Sequence, residues 1–370
     1  GKLVLPAGTT WTVPALQIDG GIVDSYIDLS FPLASDLLLT GNGTLNVLGG
    51  TVLSIASFGP SSFESGTVYL PVGSRLDIGD DAATIGSPGN TMRLIKDGTF
   101  GVSDEIGTLT VASGGVLTHS VRQLEGLVLT VTGTLEVQSG GLIDADGKGL
   151  LGGGVSGSAY GTSGETFDET DAIVAGATGG VGTSAGASYG GQGSASAGGS
   201  TNAVYGLLED PRHLGSGGGS YYPFWAGGNG GGRIRIVATD AIVDGTIRAN
   251  GTQGSGYGGG SGGSVRLEVG TLSGAGTIQA IGGAGVGGGG GRIAAFYSSS
   301  SYATTGYLAR GGSNASAGTV YLKDIAEAHG DLIVDNGNVP SALDTPIRTE
   351  LTTFRSLTVR NRGRVTLVSG

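Results

Sequence analysis

Over its first 146 residues the chain alternates apolar and polar positions in short bursts, each opened by Gly-Thr and each followed by a glycine and a second alternating stretch. The bursts are Gly43-Thr44-Leu45-Asn46-Val47 with Gly50 and Leu53, and Gly66-Thr67-Val68-Tyr69-Leu70 with Gly73 and Leu76. Two more follow, Gly107-Thr108-Leu109-Thr110-Val111 with Gly114 and Leu117, and Gly133-Thr134-Leu135-Glu136-Val137 with Gly140 and Ile143. A period of two predicts a pair of half-buried strands in each copy. The glycine between them supplies the positive φ of a tight corner. A looser copy runs from Leu357-Thr358-Val359 through Gly363 to Val365-Thr366-Leu367.

From residue 233 the unit is longer. Strands open at Arg233, Ser264, Arg292 and Thr319, spaced 31, 28 and 27 residues apart, and a second strand follows at Thr246, Thr277, Tyr307 and Asp331. Such periods mark solenoids and propellers, but a propeller blade takes four strands and about 40–50 residues. Two strands per unit predict an all-β chain, a parallel β-solenoid in which each coil touches only its neighbours and loops lengthen on one side. Coils are expected over 1–146 and 233–370. Between them, 147–232 is rich in Gly, Ser, Ala and Thr, broken by the acidic stretches 165–171 and 207–213.

That middle segment reads as a flexible linker or as architecture. Glycine runs at 227–232, 258–263 and 287–291 each end immediately before a strand opening. In phase with strands, such runs are expected to form extended helices of three residues per turn. These would be stacked polyglycine, polyproline-II-like segments packed backbone to backbone. Composition agrees. Glycine supplies 79 residues, about three times the usual share, and only 13% are charged against about a quarter in ordinary domains. Without a G-X-Y period, collagen is excluded. A hydrophobic content of 38% in regular runs fits poorly with disorder.

The pattern Gly-Thr-Leu-x-Val-x-x-Gly-Gly-x-Leu, as at 107–117, resembles the repeats of bacterial autotransporter passenger domains and haemagglutinin-type adhesins. The unit from Ser264 to Arg292 is similar to glycine-rich repeats of very large bacterial surface proteins. The resemblance covers most of 40–146 and 227–370. It implies a right-handed parallel β-helix in an extracellular or cell-surface structural or adhesive protein, without catalytic residues. The β-barrel translocator of that family has no counterpart here.

Net charge of −11 leaves no surplus of Lys and Arg to displace counterions from nucleic acid or to bind anionic membrane. Cysteine is absent, which removes disulfides and thiolate metal sites. No apolar run approaches the ~20 residues of a membrane span, and residues 1–7 lack the pattern of a signal peptide. The strand pattern still running at 365–368 suggests an excised piece of a longer protein.

Catalytic spellings fail on context. Ser184 and Ser261 sit in Gly-x-Ser-x-Gly matches, yet no helix follows either, and the three histidines, His119, His213 and His329, are far apart. Gly254 to Gly259 spells a dinucleotide loop, but a strand follows where a helix is needed. Asp77 and Asp144 occupy equivalent repeat positions, at least one coil apart, too far for the ~5–9 Å of glycoside hydrolysis. A polysaccharide lyase or hydrolase on the same scaffold is the enzymatic alternative.

Two clusters carry possible binding chemistry. Glu165, Asp168, Glu169 and Asp171 offer hard oxygen ligands that could collect around Ca²⁺, or a solvated loop tip; no other cofactor is expected. Tyr221, Tyr222, Phe224 and Trp225 cannot all point inward. They offer a binding patch for a sugar or protein, or a cap on the insert. Expected partners are other copies, meeting end to end or in fibres through open strand edges, or a surface glycan or protein. A third reading is a ligand-binding rod of another kind, such as a phage tail fibre or an ice-binding protein; ice binding ranks last, because it would want regular Thr-x-Thr ladders and the threonines look scattered.

Overall fold

The computed structural model describes residues 1–9, 12–100, 106–179, 183–221, 225–255 and 257–367, with Phe100 in its backbone alone, and among these there is no α-helix. Two ten-stranded sheets run through them. Sheet I stacks Lys2–Leu5, Ile22–Ser25, Gly43–Val47, Gly66–Leu70, Met92–Lys96, Gly115–Thr118, Leu142–Asp144, Thr246–Arg248, Thr277–Gln279 and Tyr307–Leu308 in chain order. All its pairings are parallel. Sheet II stacks Ala82–Ile85, Ile106–Val111, Leu127–Val137, Arg233–Val243, Ser264–Ser273, Arg292–Ser300 and Thr319–Asp324 in parallel. Gly98–Phe100 joins it beside the first half of Leu127–Val137. From Leu127 to Asp324, apart from the segment 147–232, the chain alternates between the two sheets, so each strand pairs with its counterpart one repeat away. This arrangement is compatible with a solenoid.

The alternating pattern explains the core. Leu135, Val137, Ile234 and Ile236 of sheet II and Leu94 and Leu117 of sheet I are fully buried in one cluster that extends from Leu5 to Ile333. Each such side chain contributes about 1.5–3 kcal/mol relative to an exposed one. Corners turn where expected, with Gly114 at φ 80° and Gly140 at φ 84°.

Two expectations about the repeats need correction. Thr44 and Thr67 open strands of sheet I, whereas Thr108 and Thr134 belong to sheet II. Alternation decides which side of a strand faces the core, not which sheet it joins. Early in the chain a third parallel sheet of Leu29–Phe31, Val52–Ile55 and Arg75–Ile78 takes a strand of each turn, and later it is gone. The second departure is at Asp331–Asp335, which runs antiparallel to Thr319–Asp324. There the strand stops at Asp324 because that residue nucleates a turn, its carboxylate accepting from Ala326 N and its carbonyl from Glu327 N. Ser356–Arg360 then stacks in parallel on the returning strand.

This end of sheet II is buried on both faces. Ile293, Ala295, Val320 and Leu322 face the main core, while Ala294, Phe296 and Tyr321 face a second cluster with Leu208, Leu332, Val334 and Ile347. Double burial accounts for the loss of polar alternation in Arg292-Ile-Ala-Ala-Phe.

The glycine runs are hydrogen-bonded with a repeat of three. Gly259 and Gly262 donate to Val286 O and Gly289 O, at 2.7 and 3.0 Å. Gly260 and Gly263 donate to Thr252 O and Ala249 O, at 3.0 and 2.7 Å, and Ser261 between them to Ser216 O. Each residue three further on thus returns to the same neighbouring segment. The rule holds for Gly227 and Gly230 toward 150–153, and for Gly228 and Gly231 toward 258–261. Gly287 and Gly290 likewise donate toward 313–316, and Gly288 and Gly291 toward 280–283. A strand in a sheet directs its amides to two sides; these segments direct them to three.

Candidate functional site

The middle segment, 147–232, packs on sheet II along one column of that sheet. Arg233, Ser264, Arg292 and Thr319 lie side by side in register, outward from the core. Arg292 is fully buried, with its guanidinium donating to Tyr205 O at 3.0 and 3.2 Å and to Thr319 Oγ1 at 3.1 Å, 5.4 Å from the Tyr189 ring. Ser264 Oγ donates to His213 O at 2.6 Å and accepts from Tyr189 Oη at 2.7 Å. Burial lowers the pKa of Arg292 and of His213, the latter partly offset by Asp171. Tyr189, Tyr205 and Phe167 close around His213. The strand openings read from sequence are therefore also the seam that holds the insert.

The four acidic residues do not gather. Glu165 is fully buried, and its Oε2 accepts from Arg122 Nε at 2.8 Å and from Leu151 N at 3.0 Å. Asp168 closes its own loop, its Oδ1 accepting from the Thr170 hydroxyl and from the amides of Thr170 and Ala172, which holds its pKa below the usual range. Glu169 forms a bidentate pair with Arg348 at 2.9 and 3.0 Å, and that pairing lowers its pKa too. Asp171 accepts from His213 Nε2 at 2.8 Å. With Asp210 on Arg266 and Glu209 accepting from Thr349 and from Glu350 N, most of these carboxylates clip the insert to segments outside it. Among the described residues no group of three His, Asp or Glu is arranged to hold a metal ion.

Of the aromatic residues, Tyr222 and Phe224 lie outside the described residues. Tyr221 and Trp225 exchange backbone hydrogen bonds at 3.1 and 3.2 Å as an antiparallel bridge. Both rings stack on Tyr257, at 4.7 Å and 22° for Tyr221 and 5.5 Å and 25° for Trp225. Trp225 is 44% exposed. Tyr257 was missed from sequence, since a single tyrosine in a glycine run gives no periodic signal.

Ser184 and Ser261 are fully buried inside the glycine layer. His119 is buried as well: its Nδ1 donates to Ser120 O at 2.8 Å, Nε2 accepts from Arg233 N at 3.3 Å, and burial lowers its pKa to about 4. Asp77 and Asp144 are not equivalent after all. Asp77 lies in the three-stranded side sheet, and Asp144 lies in sheet I, held by Arg248 at 2.9 and 3.1 Å. No helix among the described residues is long and apolar enough to cross a membrane. Comparisons of this chain with protein-family models, with curated proteins and with solved structures find no match.

Proposed function

We propose that this chain is a stiff, non-catalytic structural or adhesive element of an extracellular surface or filament protein. Its scaffold is a right-handed parallel β-helix, and its glycine runs form a second layer of three-per-turn, polyglycine-type helices packed against the coils. The observation that carries this reading is the three-residue rotation of hydrogen bonds through 227–232, 258–263 and 287–291. A hydrogen-bonded backbone slab fused to stacked strands resists bending, and it devotes the commonest residue in the chain to rigidity.

Stacking also supports assembly. Leu357 (48% exposed), Val359 (40%) and Leu367 (75%) lie in register over the buried Leu332, Val334 and Ile347. This apolar layer has the register to accept one more coil, from a continuation of the chain or from another copy. Electron microscopy of cells that express the protein tests the proposal: rods or fibres at the cell surface are expected, and a dispersed intracellular protein would contradict it.

A further inference from the structure

Threonines that look scattered in the sequence fall into register on the outer face of sheet II. One column reads Ala82, Thr108, Thr134, Asp240, Thr271 and Ser299. Its neighbour, two residues along each strand, reads Thr84, Thr110, Glu136, Ile242 and Ser273. The side chains between the columns, such as Leu109, Leu135, Ala241 and Leu272, are buried, so both columns face solvent. Toward Ser299 the face sinks into a groove of about 360 Å³ lined by Thr134, Asp240, Ile242, Thr271, Ser273 and Ser299. Among the described residues no hydrogen bond within the protein engages these hydroxyls, and the Asp240 carboxylate has no ion pair. Elsewhere several strand carboxylates are held by arginine, as Asp144 and Glu268 are.

We infer that this groove binds a neutral polysaccharide chain lying across the strands. The inference rests on the adhesive reading above and names its ligand class. A hydroxyl both donates and accepts, and a carboxylate accepts from two adjacent hydroxyls at once, which is the pattern a sugar diol presents. Ile242 supplies an apolar patch between them for a sugar's C–H face. The charges of the site, Asp240 and nearby Glu136, are negative and unneutralised, which disfavours an anionic glycan, a nucleic acid or a phosphate. They also interrupt the hydroxyl lattice at its middle, where an ice surface would require it unbroken. Rungs repeat about every 4.8 Å across the stack, so a polymer meets a new set of hydroxyls at each coil.

Affinity electrophoresis through gels containing galactomannan, xylan, mixed-linkage β-glucan or starch tests this, with the chain, Asp240→Asn and Thr271→Trp run side by side. Retardation by at least one polymer is expected. Asp240→Asn should weaken it about tenfold or more, as loss of a charged hydrogen bond does. Thr271→Trp should fill the groove and abolish it, with circular dichroism and melting unchanged for both variants. No retardation by any polymer, or equal retardation of all three proteins, overturns the inference. Thermal hysteresis that Thr271→Trp removes would assign the face to ice, and a change in sedimentation would assign it to a second copy; either outcome also overturns it. Fibres seen by electron microscopy with the groove variants intact would leave the structural reading standing while this one fails.

Discussion

Gly260→Ala adds a single methyl group where the backbone has no room for one. Its Cβ would lie 2.0 Å from Asn229 O, 2.3 Å from Asn229 C and 2.7 Å from Gly230 N, all backbone atoms of the facing segment. The two segments must separate, and that strains the bonds joining them, Gly228 N to Gly258 O at 2.8 Å and Gly231 N to Ser261 O at 2.9 Å. Loss of two such bonds costs about 2 kcal/mol, and overpacking a tight interior costs about 1–3 kcal/mol. In the other direction, alanine in place of glycine restricts the unfolded chain and stabilises by roughly 0.4–1 kcal/mol. The net expectation is a loss of about 3 kcal/mol. For a chain of 370 residues that corresponds to a fall in melting temperature of about 4 °C in scanning calorimetry. Ser298→Val, at an exposed position, should stay within about 0.5 kcal/mol of the parent. Equal melting temperatures for Gly260→Ala and Ser298→Val would refute the reasoning, because a glycine run serving only as linker tolerates alanine.

Glu165→Ala should lower the urea midpoint by the equivalent of about 2–3 kcal/mol, since it leaves Leu151 N and Arg122 without their buried acceptor; an unchanged midpoint would show that the clip is idle. His119 has a folded pKa near 4 against an ordinary value of 6.5, so below pH 6.5 the unfolded chain takes up the proton first. Stability present above pH 6.5 should therefore fall by about 3 kcal/mol as pH drops toward 4, and His119→Asn should flatten that slope in pH-resolved denaturation curves. Because the carboxylates of 165–171 are taken up by arginine, histidine and backbone donors, EDTA should leave the melting temperature unchanged; a rise on adding Ca²⁺ would contradict this.

Much of the fold was legible because its signals are local. Leu135 and Val137 or Ile234 and Ile236 alternate with polar residues, and that alone places them in strands with their apolar side inward. The phase of the glycine runs with Arg233, Ser264 and Arg292 pointed to ordered segments, and their amides are hydrogen-bonded to neighbouring segments on three sides. What was not legible depends on how strands meet. No pattern distinguishes Thr67, which joins sheet I, from Thr108, which joins sheet II, because both follow the same Gly-Thr rule. The reversal after Asp324 turned on one side chain closing a turn. The acidic cluster drew a metal reading because its residues are neighbours in sequence, yet their partners, Arg122, His213 and Arg348, are 43, 42 and 179 residues away. The outward columns stayed hidden for the same reason: Thr134 and Thr271 become aligned only once Asp240 lies between them. The double burial of Ala294 and Phe296 did leave a trace, in the missing polar alternation after Arg292.

Amide hydrogen exchange followed by NMR tests the central claim most directly, because it reads each glycine backbone separately. If 227–232, 258–263 and 287–291 are packed segments bonded in a three-residue rotation, their amides should exchange as slowly as those of Arg233–Val243 and Ser264–Ser273. Exchange of those glycine amides as fast as that of the exposed turn at 325–329 would contradict the account.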